Sequence, residues 1–235
     1  MRSNSGFIMI WVFRFWVFSL VFWLVVSSCY SADRQYIEQQ AGNTRLAIFV
    51  HGFIGDYLET WGKFPELLQA DSSLDNYDFL FWGYPSRFFR QNEDIGTTGK
   101  HLKSEIDYLA KPCAKIVLIG HSMGGLVIRS YLVQAFIDGK GRDLNTIADV
   151  LLFGVPNEGD LKANLVPTWV NDQIADIGVA SQFITELRKY LLYQKFHHAL
   201  KLNGLLFVGS SEMLLNPVAF GFESAGPFFY RKTTL

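Results

Sequence analysis

Lys115-Ile116-Val117-Leu118-Ile119-Gly120-His121-Ser122-Met123-Gly124-Gly125-Leu126-Val127-Ile128 is the stretch that decides the fold. An apolar, β-favouring run enters Gly-x-Ser-x-Gly and continues into an apolar segment, Leu126 to Phe136, spaced as an amphipathic helix. That is the sequence form of a nucleophile elbow, a sharp strand-to-helix turn that lifts a serine hydroxyl out of a sheet. Gly120 and Gly124 are read as steric requirements, since a side chain at either place would collide with its neighbours. Ser122 is expected in a strained backbone conformation. The helix behind it aims its positive end, and Met123 N–H, at whatever oxygen the serine meets.

Working outward, the same alternation repeats. Arg45 to Val50 is a continuous apolar strand, expected to be buried on both faces. Leu58 to Leu68 reads as a helix after the Gly55-Asp56 break. Tyr77 to Trp82 reads as a strand ended by Gly83-Tyr84-Pro85-Ser86. Thr97 to Ala110 has helical spacing in Leu102, Ile106 and Leu109. Thr146 to Val155 is a strand closed by Pro156. Ser181 to Leu200 contains a helix, and Gly204 to Val208 is a last strand before Gly209-Ser210-Ser211. Strands alternating with helices call for an α/β fold with a doubly wound, mostly parallel sheet. The irregular stretch from Val155 to Asp172 is where a lid or substrate wall would lie.

The 235 residues carry 21 Lys and Arg against 22 Asp and Glu, a formal net charge of −1. No basic patch points to nucleic acid. Phe7 to Val26 is almost wholly apolar, broken by Arg14 and Ser19, and ends in Val26-Ser27-Ser28-Cys29. This is the layout of a secretory signal, and those four residues resemble the lipobox of bacterial lipoproteins. An uncleaved anchor is the alternative. Arg14 would then sit near mid-membrane at about 2.5–3.5 kcal/mol. Residues 1–29 are therefore expected to be a lipoprotein-type signal or an anchor, 30–44 a polar tether and 45–235 the folded domain, attached to the cell envelope by its N-terminus. The two cysteines, Cys29 and Cys113, make no disulfide framework and no zinc spacing. No metal or organic cofactor is implied.

Three strand ends gather the remaining motifs: His51-Gly52-Phe53-Ile54-Gly55, Ser122 itself, and Gly154-Val155-Pro156-Asn157-Glu158-Gly159-Asp160. Together with Tyr84-Pro85-Ser86 they resemble the lipase-like branch of the α/β-hydrolases, the serine esterase and lipase domains related to GPI-inositol deacylases. The resemblance covers about Arg45 to Gly209. The family usually has Thr-Pro-His in the last motif, where this chain has Val155-Pro156-Asn157. By position, the resemblance implies Ser122 as nucleophile, with Phe53 N–H and Met123 N–H as the oxyanion hole. It implies an acyl-ester or lipid substrate. Apolar residues such as Phe53, Ile54, Trp61, Trp82 and Leu165 suit an acyl chain, though most of them also suit a core.

In this fold the catalytic order is serine, acid, histidine. Glu212, past the Gly209-Ser210-Ser211 turn, stands where the acid is expected, and Asp160 is the second candidate. His51 and His121 read as packing residues, and His197 and His198 as exposed helix residues. No histidine follows His198, so the domain reads as a hydrolase lacking its C-terminal part, or as a hydrolase fold kept for binding. Two functions stay open: a serine esterase or lipase, and a non-catalytic binding protein.

Overall fold

The computed structural model describes residues 33–89, 92–109, 115–139, 144–191 and 204–208. Six strands form one sheet: β1 (Arg34–Ile37), β2 (Arg45–Val50), β3 (Asp78–Trp82), β4 (Lys115–His121), β5 (Ile147–Phe153) and β6 (Gly204–Val208). The spatial order is β1-β3-β2-β4-β5-β6, with β1 antiparallel to β3 and every other pair parallel. The helices are α1 (Phe64–Ala70), α2 (Ile95–Leu109), α3 (Met123–Ile137), α4 (Asp172–Ile177) and α5 (Gln182–Leu191).

The period-2 alternation of the strands separates two cores. Leu46, Ile48, Val50, Leu80, Trp82, Ile116, Leu118, Val150 and Leu152 pack with α2, α3 and α5. Ala47, Phe49, Phe79, Phe81 and Ile119 point the other way and pack with Trp61 and α1. Phe49 stacks on Phe81 at 4.6 Å and meets Trp61 edge-on at 5.1 Å. Helices thus cover both faces, and a sheet buried on two sides needs apolar residues at every strand position.

Three elements differ from the sequence reading. Residues 34–37, expected to be part of a tether, form the edge strand β1. Its anchor is distant in sequence: Asp78 accepts from Tyr36 Oη at 2.8 Å and from Gln39 N–H and Asn43 Nδ2 at 3.0 Å each. Only Ile37 of β1 is buried, so no alternation marks it. The expected helix from Leu58 to Leu68 is broken. A 3₁₀ turn, Glu59–Trp61, ends at Gly62 with φ 56°, and α1 starts afresh with Pro65 in its first turn. The third difference is α3, which is not amphipathic: it is buried from Met123 through Val133, between the sheet and its neighbouring helices.

The start of α2 is held by two carboxylates. Asp94 accepts from Thr97 N–H at 2.7 Å, and Asp176 of α4 accepts from Ile95 N–H at 2.8 Å. Burial, with Asp94 and Asp172 nearby, pushes the Asp176 carboxyl up to about 6, although the Ile95 bond favours its charge. Between its unfolded and folded values the folded chain holds the extra proton. The stability this group confers is full below about pH 4 and is lost as pH rises through about 6. Asp176→Asn keeps an acceptor for Ile95 N–H and carries no charge. It is expected to raise the melting temperature by about 2–4 °C at about pH 8 and to change nothing at about pH 4. Thermal melts at the two pH values check this.

Candidate active site

The chain leaves β2 for β3 on one side, then crosses back to β4 on the other, so the loops after β2 and β4 diverge. Such a switch point opens a crevice at the carboxyl ends of the strands. β2 and β4 are direct neighbours there, with Val50 opposite Gly120. The loops that follow touch: a Cβ placed on Gly52 would lie 2.9 Å from Ser122 Cβ and 3.1 Å from His121 O.

Ser122 sits between β4 and α3 with φ 52° and ψ −124°, a conformation that non-glycine residues rarely adopt. The surrounding hydrogen bonds hold it. Ser122 N–H donates to Phe153 O at 2.8 Å, and Ser122 O accepts from Gly125 N–H at 3.0 Å. Ser122 is the N-cap of α3, the position at which serine commonly accepts a hydrogen bond from the helix's own amides. It makes no such side-chain bond here. The hydroxyl is thereby left out of the helix it begins.

Three glycines make room for the turn. A Cβ on Gly120 would meet Gly125 Cα at 2.8 Å. One on Gly124 would lie 2.2 Å from Val50 O and 2.3 Å from His51 O, and one on Gly125 would lie 2.1 Å from Val155 Cγ2. The sequence reading named the first two. Gly125 was missed because its neighbour is thirty residues downstream, in the loop after β5.

Two backbone amides in the segments that meet at this corner, Phe53 N–H and Met123 N–H, have no backbone acceptor among the described residues. Met123 opens α3, where the first amides of a helix lack intrahelical acceptors. Phe53 lies in a tight turn closed by Gly55 N–H donating to Gly52 O at 3.1 Å. Its ring packs against the core and lies 6.3 Å from Phe88.

His51 is a packing residue, as its sequence position indicates. It is buried, stacks on Tyr84 at 4.2 Å and takes one hydrogen bond on each ring nitrogen. Nδ1 donates to Gly52 O at 2.8 Å and Nε2 accepts from Tyr84 N–H at 3.2 Å, which makes the ring neutral. Burial holds its pKa below the usual histidine value. Tyr84 in turn donates its hydroxyl to His51 O at 2.7 Å, and burial pushes its own pKa far up. This stack fixes the residue that precedes Gly52. His121 is exposed, next to the serine in the chain, and meets Trp61 at 6.5 Å. Among the described residues no histidine hydrogen-bonds the Ser122 hydroxyl.

The acid candidates fare differently. Glu212 lies outside the described residues, as do His197, His198, Cys29 and Cys113. Asp160 is exposed and turns its carboxylate onto its own loop, accepting from Lys162 N–H at 2.8 Å. Arg129 of α3 donates to Asn157 Oδ1, tying the elbow helix to the loop that carries Val155-Pro156-Asn157. Of the apolar residues named for an acyl chain, Trp61 and Trp82 are core residues on opposite faces of the sheet. Phe53 is half-buried, and Ile54 and Leu165 are exposed. Among the described residues no group of three His, Cys, Asp or Glu is arranged to hold a metal ion.

Residues 40–150 match the model of the family described as "Putative serine esterase (DUF676)". The fold is also similar to solved structures. Bacillus licheniformis lipase BlEst2 aligns with a TM-score of 0.53 and 17% identity over 74% of this chain and 71% of that one. Phospholipase PlaB of Legionella pneumophila aligns with a TM-score of 0.56 and 16% identity over 76% of this chain and 42% of that one. At these identities the likeness is one of fold. A 51-residue stretch is 43% identical to part of a protein described as a chemotaxis protein methyltransferase of Listeria monocytogenes, covering 22% of this chain and 20% of that one. The chain thus spans about a fifth of the length of the curated relatives it matches. The serine esterase family model spans β2, β3 and β4 and the start of β5, and the fold around them is similar to that of solved lipases of the α/β-hydrolase fold.

Proposed function

We propose that the chain is a serine hydrolase that cleaves carboxylic esters of acyl or lipid substrates, with Ser122 as nucleophile. One observation carries this reading: Ser122 is held at φ 52° as an N-cap that does not cap, against the Gly52-Phe53 turn. A structural serine there would gain about 1 kcal/mol by capping its helix. This one forgoes that and keeps its hydroxyl at the crevice.

In the proposed reaction Ser122 Oγ attacks the ester carbonyl carbon and gives up its proton. The carbonyl oxygen becomes an oxyanion and accepts from Phe53 N–H and Met123 N–H, donors fixed before charge develops. The C–O bond breaks, the alcohol leaves with a proton, and water then cleaves the acyl-enzyme to release the acid. Glu212 is the proposed acid, from its place after β6; no residue is assigned as base. The apolar run Phe7 to Val26 with Val26-Ser27-Ser28-Cys29 supports N-terminal attachment at the cell envelope.

The competing reading, a hydrolase fold kept for binding, is favoured by the neutral, doubly engaged His51. A fluorophosphonate probe separates the two. Covalent labelling of the peptide that carries Ser122, lost in Ser122→Ala, is the expected result. A folded protein that takes no label at Ser122 overturns the hydrolase reading.

A further inference from the structure

The turn that would present Phe53 N–H has an unusual residue at its corner. Gly52 O accepts from Gly55 N–H, so residues 52–55 form a β-turn with Ile54 at its third position. Ile54 has φ 58°, the left-handed region that a turn of this kind reserves for glycine or asparagine. A β-branched residue there is a genuine outlier. Packing does not hold it, because Ile54 is 58% exposed. Something else must keep the turn from relaxing to the form its sequence prefers.

The hold is a buried polar chain. Ile54 N–H donates to Ser86 Oγ at 2.9 Å, and the Ser86 hydroxyl donates onward to Gln173 Oε1 at 3.0 Å. Gln173 Nε2 donates to Pro85 O at 2.9 Å, and Gln173 N–H donates to Asn171 Oδ1 at 3.0 Å. Asn171 Nδ2 donates to Arg87 O at 2.8 Å. Ser86, Asn171 and Gln173 are all buried, Gln173 completely. Burying a glutamine and a serine where apolar residues would pack well is unfavourable unless each polar atom has a partner. Here the partners lead in one direction, from α4 through the loop after β3 to a single amide of the turn beside Ser122.

We propose that Ser86, itself oriented by Gln173, is a positioning residue that locks the strained Gly52–Gly55 turn in the shape that offers Phe53 N–H to the substrate oxyanion. The inference rests on the hydrolase reading above. Without the Ser86 acceptor, the Phe53–Ile54 peptide turns to relieve Ile54, and the adjoining Phe53 amide leaves its aim. A misplaced donor of this kind lowers kcat by about 10- to 100-fold and leaves KM nearly unchanged.

The test is a double-mutant cycle with a second readout that does not depend on turnover. Ser86→Ala is expected to lower kcat as stated, and Ser86→Thr, which keeps the hydroxyl, to restore most of it. Glycine tolerates φ 58° without strain, so in an Ile54→Gly background the loss caused by Ser86→Ala should shrink to about 3-fold or less. Hydrogen exchange at the Ile54 amide should quicken by about 10-fold or more in Ser86→Ala and in Gln173→Ala. Equal losses in both backgrounds, or a kcat unmoved by Ser86→Ala, overturn the positioning role. If the natural protein shows no Ser122-dependent turnover while Ile54 exchange responds as stated, the hydrolase reading falls and the hold on the turn stands. If exchange does not respond either, both fall.

Discussion

A Ser122→Gly variant is expected to melt higher than the natural protein and to lose ester turnover. Ser122 pairs φ 52° with ψ −124°, a region where a Cβ is crowded by its own backbone. Holding a non-glycine residue in such a region takes about 1–3 kcal/mol. Glycine removes that strain but adds about 0.5–1 kcal/mol of chain entropy to be lost on folding. The difference favours glycine by about 1 kcal/mol, or about 2–4 °C in a domain of this size. No cap is sacrificed in the exchange, because Ser122 makes no side-chain bond to α3. Ser122→Ala is the control: it removes the hydroxyl and keeps the strain, so its melting temperature should stay close to that of the natural protein. Both variants should lose turnover by about 10³-fold or more, the scale on which removing the nucleophile of a serine hydrolase acts. Thermal melts and single-turnover rates on a p-nitrophenyl ester read the two effects separately. A glycine variant that melts lower would refute the strain, and an alanine variant that still turns over ester would remove Ser122 from the chemistry.

The contrast between Ser122 and its supports shows what a sequence reveals. β2, β4 and β6 were legible to the residue or nearly so, because each is an almost unbroken apolar run whose ends fall at or beside Gly or charged residues. The elbow was legible because its steric demands are local: strand, Gly, Ser and Gly lie within ten residues. β1 was not, since one buried Ile37 and a set of hydrogen bonds to Asp78, some forty residues away, leave no periodic trace. The burial of α3 was hidden for the opposite reason. Its apolar residues run right round the helix, and Arg129 among them looks like a surface residue until the packing encloses it. Ser86 and Gln173 stand 87 positions apart and carry no motif between them, so only the fold joins them. Tyr84-Pro85-Ser86 was visible as a family-like piece, but its task at the Ile54 amide was not.

Gly124→Ala is expected to be among the most damaging single substitutions in the domain. Helix propensity argues the other way: Gly124 lies in the first turn of α3, and alanine is favoured over glycine in a helix by about 1 kcal/mol. Sterics decide it. The new Cβ would lie 2.2 Å from Val50 O and 2.3 Å from His51 O, over an ångström inside ordinary contact. Neither oxygen belongs to a side chain that could swing away. Val50 ends β2, which is paired on one side with β3 and on the other with β4, and His51 is clamped by its stack on Tyr84 and three hydrogen bonds. The helix must therefore lift from the sheet, carrying Ser122 away from the Gly52-Phe53 turn. A loss of about 3–5 kcal/mol of stability fits overpacking against backbone that cannot yield. Turnover of whatever remains folded should fall by about 100-fold, since a displacement near 1 Å is enough for that. Gly139→Ala supplies the comparison. Gly139, unlike Gly124, has a positive φ, 69°, but a Cβ there meets nothing within 4 Å. Its replacement should destabilise by only about 1 kcal/mol and leave turnover intact. Urea unfolding of the two variants, with kcat measured on the folded fraction, ranks them. If Gly124→Ala unfolds no more easily than Gly139→Ala, α3 does not press on the end of β2 as closely as described, and the elbow is looser than the chemistry proposed for it requires.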